Sequence, residues 1–299
     1  MTRLPLTLLL GLFISLLFTQ TLIAKEQELS SPPAIVDVAW LEQNFSQKNL
    51  LLLDLREASL YKNGHIKGAQ NIYYMQLFAE GLFMPKLEEL KTLFSDVGID
   101  SSMHVVAYDD GSFIWSARLY WILETLGHTK VSILNVGYGN WENGAIATTQ
   151  TPTPATKRDF IPRVDNTKLQ TKLGTLVSIG KKTIIDGRKE THYIGRESEA
   201  KRYGHIPTAQ NYPCTQNYEV TQSGNKMREL SELAELYKEL PVEKDIILYC
   251  DGGAEAALNY IVLQELGYKA AVYDGSWVEW GNDTAVPIEN PSKTQKPSK

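Results

Sequence analysis

The feature that most constrains this chain is that it carries nearly the same message twice. Leu-Leu-Asp-Leu-Arg at 52–56 recurs as Ile-Ile-Asp-Gly-Arg at 184–188, and Gly-His-Ile-Lys-Gly-Ala-Gln-Asn at 64–71 recurs as Gly-His-Ile-Pro-Thr-Ala-Gln-Asn at 204–211. Val-Val-Ala-Tyr-Asp at 105–109 matches Ile-Ile-Leu-Tyr-Cys at 246–250, Leu-Gly-His at 126–128 matches Leu-Gly-Tyr at 266–268, and Asn-Val-Gly-Tyr at 135–138 matches Tyr-Asp-Gly-Ser at 273–276. Landmarks that keep one order at offsets of 132 to 141 residues mark a duplication, so the chain must fold as two copies of one domain. With 299 residues and 43% apolar content, each copy is long enough to bury its own core.

Within each copy, short apolar runs alternate with longer segments of helical spacing. Leu50–Leu53, Val105–Tyr108 and Val131–Leu134 are the predicted strands of the first copy, and Thr183–Ile185, Ile246–Tyr249 and Ala270–Tyr273 those of the second. The segment after Cys250 places Leu258, Ile261, Val262 and Leu266 on one helical face and ends at Gly267. This alternation predicts an α/β class: two tandem domains, each a mainly parallel sheet flanked by helices. The expected boundaries are a leader at 1–24, domain 1 at 33–150, a Pro/Thr linker at 151–165, domain 2 at 166–290 and a disordered tail at 291–299.

The leader expectation comes from Arg3 followed by an uncharged apolar run to Ala24, ahead of Lys25 and Glu26. That is a secretory pattern, predicting an exported, periplasmic or secreted protein with no membrane association once the leader is removed; an uncleaved anchor is the alternative. A formal charge of -5 offers no general attraction to nucleic acid or anionic lipid. The two cysteines, Cys214 and Cys250, exclude a four-cysteine zinc site and a disulfide-dense scaffold.

Asp-x-Arg, then Gly-His-Ile-x-x-Ala, then a strand ending in Tyr-Cys, then Tyr-Asp-Gly-x-Trp is an ordered set that resembles the rhodanese family. More narrowly, it resembles the tandem type that includes thiosulfate and mercaptopyruvate sulfurtransferases. The likeness covers roughly residues 35–290. It implies a catalytic cysteine in the second copy only, Cys250, with Asp109 at the matching place in the first copy and therefore no nucleophile there.

Cys250 ends an apolar strand and precedes Asp251-Gly252-Gly253-Ala254-Glu255, which opens a helix. Such a turn directs successive backbone N–H groups into one concavity, where the helix dipole favours a thiolate or a sulfur-substituted anion. Gly252 and Gly253 give the backbone freedom to wrap the sulfur. The resemblance implies a double displacement: a small sulfur donor is attacked by Cys250, and the resulting persulfide is discharged by a thiophilic acceptor such as cyanide, a thiol or a protein thiol. No metal or organic cofactor is required.

The candidate site residues are therefore Cys250 as nucleophile and Asp251, Gly252, Gly253, Ala254, Glu255, Arg188 and His192 around the substrate. Several depart from the family's patterns. Asp251 and Glu255 stand where thiosulfate enzymes carry basic or neutral residues, and two carboxylates oppose both a thiolate and an anionic donor. Gly252 stands where mercaptopyruvate enzymes carry serine. His192 occupies a position where relatives place a substrate-binding arginine; Arg196, Lys201 and Arg202 follow closely as replacement charges. Arg188, beside Asp186, also reads as a tie between its loop and the Gly-His-Ile turn, and His65 and His205 as turn-ordering groups.

Cys214 reads as a structural cysteine, with a disulfide to Cys250 as the alternative. A cysteine phosphatase is excluded because it needs Cys-x5-Arg and the sixth residue after Cys250 is Ala256; a disulfide oxidoreductase needs a second cysteine where Gly253 stands. The competing expectation is a non-catalytic sulfur carrier or protein-binding module.

Overall fold

The computed structural model describes residues 32–143, 145–241 and 245–294. The expected leader, 1–24, lies outside the described residues.

The first half builds a parallel sheet from β1 (Ile35–Val36), β2 (Leu50–Asp54), β3 (Gln70–Asn71), β4 (His104–Tyr108) and β5 (Val131–Leu134), in the order β1-β5-β4-β2-β3. The second half repeats it with β6 (Leu169–Gln170), β7 (Thr183–Asp186), β8 (Gln210–Asn211), β9 (Ile246–Tyr249) and β10 (Ala270–Tyr273), in the order β6-β10-β9-β7-β8. The central strands are continuous apolar runs because helices cover both faces of each sheet. The duplicated α/β fold and its six predicted strands are thus present, with ends moved by at most a residue.

The landmarks recur atom by atom. Arg56 clasps Asp54 through Nε and Nη2 and donates from Nη2 to the Gly64 carbonyl at 2.8 Å; Arg188 clasps Asp186 likewise and donates to the Gly204 carbonyl at 2.8 Å. The hydroxyls of Tyr108 and Tyr249 donate to Asp54 and Asp186 while accepting from Ile66 N and Ile206 N. His65 and His205 each stack on a tyrosine, Tyr61 and Tyr193, and donate from Nδ1 to that tyrosine's carbonyl. These ties fix the strand-to-turn geometry on which the loop at the end of the next strand rests.

The two halves join through α1 (Ile114–Thr125) and α2 (Ala254–Glu265), the helices that follow β4 and β9. Neither has the single apolar face expected of α2. From Ser116 to Thr125 and from Ala256 to Leu263 every residue is buried, because each helix meets its own sheet on one side and the other helix opposite. Buried polar contacts cross the seam. Arg118 Nη1 lies 2.6 Å from Asp274 Oδ1, and Tyr260 donates to Glu124 at 2.7 Å.

The Pro/Thr-rich connection is docked on the first half, with Phe160 buried against Phe94 and Arg158 paired with Asp100. Of the tail expected to be disordered, Pro291–Thr294 instead forms a helical turn, held where Ser292 donates from N to Ile194 O and from Oγ to Gly195 O, and 295–299 lie outside the described residues. Among the described residues no helix is long and apolar enough to cross a membrane.

Candidate active site

Cys250 sits at the C-terminal end of β9, where a strand-to-helix turn opens the edge of a parallel sheet. Its backbone is pinned on both sides: the amide donates to Ser276 Oγ at 3.2 Å, and the carbonyl accepts from Trp277 N at 2.8 Å. The Gly253 amide donates to Sγ at 3.0 Å. Gly253 holds φ at +83°, and a Cβ there would lie 2.6 Å from Arg118 Nη1, so glycine is required by both backbone and space.

Burial dominates the thiol's acidity and, with the Glu255 charge, pushes it up to about 12; backbone N–H groups of Ala256 and Gly252 act in the opposite direction. Of the influences on this sulfur, burial and the carboxylates oppose the thiolate that the N–H nest favours. Glu255 is itself pushed up to about 7, first by burial and then by the Asp251 and Asp186 charges, with Arg188 and Lys189 pulling back. Asp251 is raised mainly by burial against the counter-pull of Arg188 and His192.

A cavity of about 250 Å³ reaches the sulfur. Cys250, Asp251, Gly252, Ala254 and Glu255 form its floor, and Met75, Phe78, Leu82, Ile114 and Trp115 of the first half form its wall. The wall is braced by Trp115, stacked on Tyr74 at 4.0 Å, and by Met84 N, which donates to Asp274 Oδ2 at 2.7 Å. Leu82, at φ +64°, leans so closely over Gly252 that a Cβ on that glycine would meet Leu82 Cδ1 at 2.5 Å.

The candidate residues separate into groups. Cys250, Asp251, Gly252, Ala254 and Glu255 line the cavity, and Gly253 lies beneath it as the amide donor to sulfur. Arg188 and His192 stand behind Asp251: His192 Nδ1 is 2.9 Å from Asp251 Oδ2, and Arg188 Nη1 is 3.6 Å from Asp251 Oδ1. Arg196, Lys201 and Arg202 do not line the cavity. Arg202 is committed to the carbonyls of Trp280, Gly281, Asp283 and Val286, holding the C-terminal segment. Both cysteines are free thiols, and Cys214 is buried. The resemblance leads one to expect the first half to help shape the cleft, but not which of its residues form the wall, although the aromatic-rich stretch from Tyr73 to Phe83 after the first Gly-His-Ile turn is their visible trace.

The site is thus a buried thiol at a strand end that accepts from the Gly253 amide and is reached by a small cavity. The rhodanese-like domain family matches residues 37–144 and 169–283, and the chain belongs to that family. It is 31% identical to the sulfur carrier protein TtuD of Thermus thermophilus over 86% of this chain and 96% of that one. The thiosulfate sulfurtransferase of Pseudomonas aeruginosa is 30% identical over 87% and 98% of the two chains, and that of Corynebacterium glutamicum 31% over 90% and 94%. Among solved structures, the anaerobic ergothioneine biosynthesis enzyme of Chlorobium limicola superposes with a TM-score of 0.77 over 86% of this chain and 70% of that one, at 24% identity, a likeness of fold.

Proposed function

We propose that this chain, a sulfurtransferase by family, moves sulfane sulfur from a small donor to a thiophilic acceptor through a persulfide on Cys250, with thiosulfate as the reference donor. The observation that carries the reading is the Gly253 amide aimed at a sulfur that also lines the cavity. In the first step the Cys250 thiolate attacks the outer sulfur of thiosulfate, a new S–S bond forms, and sulfite leaves with the electron pair of the broken bond. In the second, the acceptor attacks that transferred sulfur, and the bonding pair returns to Sγ, which takes up a proton.

The test is incubation with thiosulfate, followed by intact mass and by thiocyanate formation with cyanide. The wild type is expected to gain one sulfur atom and to turn over; Cys250→Ala is expected to do neither. Equal activity in the two proteins would refute the reading.

The raised thiol and the acidic floor favour a second reading, a carrier that loads sulfur and discharges it to a protein thiol with little turnover on cyanide. Loading without thiocyanate formation decides for the carrier. The leader pattern leads us to place the protein in an exported compartment, checked by N-terminal sequencing of the protein recovered outside the cytoplasm; an intact Met1 terminus in the cytoplasmic fraction would refute that placement.

A further inference from the structure

The floor of the Cys250 cavity holds one carboxylate without a partner and a second held only from behind. The Glu255 carboxylate makes no hydrogen bond or ion pair among the described residues, whereas Asp251 meets His192 through Oδ2 and Arg188, at 3.6 Å, through Oδ1. Nearby cations are already committed. Arg188 is clasped by Asp186, and although its Nη1 faces Asp251 at 3.6 Å it lies fully buried behind the floor. Lys189 pairs with Glu197 at 2.5 Å, and His192 hydrogen-bonds Asp251. What the cavity presents to a ligand is thus a carboxylate floor beside the apolar faces of Phe78 and Trp115, a combination that complements a cation on a short apolar body.

Building on the persulfide reading above, we infer that the cavity selects acceptors by charge: its acceptor is a small thiol carrying a positive charge near the sulfur, and anionic thiols are rejected. Asp251 and Glu255 are the specificity-determining residues. In the reaction the acceptor thiolate attacks the outer sulfur of the Cys250 persulfide, the Cys250 S–S bond breaks, and its electron pair returns to Sγ with a proton. The product is the acceptor's own persulfide, and no external oxidant or reductant enters. The cationic group stays on the floor during attack, offsetting the negative charge that passes through the apolar cavity.

The test loads the full chain with thiosulfate, removes excess donor, and follows loss of the added sulfur by mass against three thiols of similar size. These are cysteamine (cationic), N-acetylcysteamine (neutral) and 3-mercaptopropionate (anionic), with rates expressed per thiolate present. The expected order is cationic, neutral, anionic, with the extremes about tenfold or more apart. Glu255→Gln is expected to bring the extremes within about twofold of each other and Asp251→Asn to narrow them, with the neutral thiol correcting for any general loss of rate. Discharge to 3-mercaptopropionate as fast as to cysteamine, or a spread that survives both substitutions, would overturn the inference. Absence of sulfur on Cys250 after the first step would instead overturn the persulfide reading, and this inference with it.

Discussion

The loops after β4 and β9 occupy the same place in two copies of one fold, and they treat negative charge in opposite ways. In the first, the Asp109 carboxylate is the occupant: Oδ1 accepts from Gly111 N and Phe113 N at 2.9 and 3.0 Å, and Oδ2 accepts from Trp115 N, Ser116 N and Ser116 Oγ. In the second, Cys250 Sγ accepts from Gly253 N, and carboxylates stand around it rather than inside. The first loop spans five residues between strand and helix, 109–113, and the second four, 250–253. Their covers differ as well. A hairpin of the second half, Tyr218–Thr221 with Gly224–Met227, lies over the first loop, where Asn225 donates to Gly111 O at 2.9 Å. The first half's Met75–Met84 stretch covers the second loop but leaves the cavity open. The first cradle therefore shows what such a turn holds, an anion, and the second keeps that capacity available for a sulfur that changes charge during reaction.

The largest expected effect tests whether a cysteine alone makes the difference. Cys250→Ala should abolish sulfur uptake, and adding Asp109→Cys to it should not restore any, because the first loop carries a longer turn under a hairpin cover. Mass measurement after thiosulfate treatment reads both. Sulfur on residue 109 of the double variant would show that the covers are immaterial.

Next in size is the seam that aligns the two loops. Arg118 springs from the helix behind the first loop, yet it ion-pairs with Asp274 and lies against Gly253 of the second. Arg118→Met keeps the bulk and leaves Asp274 buried without its cation, so denaturant unfolding should show a loss on the order of 3 kcal/mol. A change below about 0.5 kcal/mol would mean that the Met84 amide alone satisfies that carboxylate.

Much of this contrast can be read in the chain before it folds. The central strands are legible because parallel strands covered on both faces must be uninterrupted apolar runs, as in Leu50–Leu53 and Ile246–Tyr249. Cys250 is legible because the duplication sets it against Asp109. Even the loop-length difference leaves a trace: Asp109 and Cys250 are offset by 141 residues, whereas the helix-ending Gly127 and Gly267 are offset by 140. Tertiary placement is not legible. Phe78 and Leu82 reach Cys250 from a stretch of short 3-10 turns with no periodicity to give it a face. The all-round burial of α1 and α2 depends on the other half, which no local pattern encodes. Arg202, read as a charge for substrate, instead finds four carbonyls that lie some eighty residues away in sequence.

A smaller effect separates the two kinds of buried carboxylate by pH. Burial raises both Asp109, to about 6, and Glu255, to about 7, above their ordinary values. A raised pKa in the folded state gives stability that is fully present below the unfolded value and is lost as pH climbs through the folded one. Wild-type stability should therefore fall between about pH 4 and pH 7, with Asp109 contributing up to about pH 6 and Glu255 up to about pH 7. Glu255→Gln should match the wild type near pH 4 and exceed it at pH 8 by on the order of 2 kcal/mol, read from urea midpoints at the two pH values. An equal difference at both would remove the Glu255 charge from the account.

The smallest expected effect concerns the second cysteine, which has no counterpart in the first half. Cys214 is buried, its amide is fixed by the Gly187 carbonyl, and burial holds its thiol well above the ordinary range, with the Glu255 charge acting in the same direction. Cys214 does not line the cavity that reaches Cys250, so the persulfide on Cys250 should wait for an external acceptor. Cys214→Ser should change the extent of sulfur loading and the discharge rate by less than about twofold, measured as mass gain and as thiocyanate released. A several-fold longer-lived persulfide in that variant would instead make Cys214 the internal acceptor, and the contrast between the halves would then rest on two sulfurs rather than one.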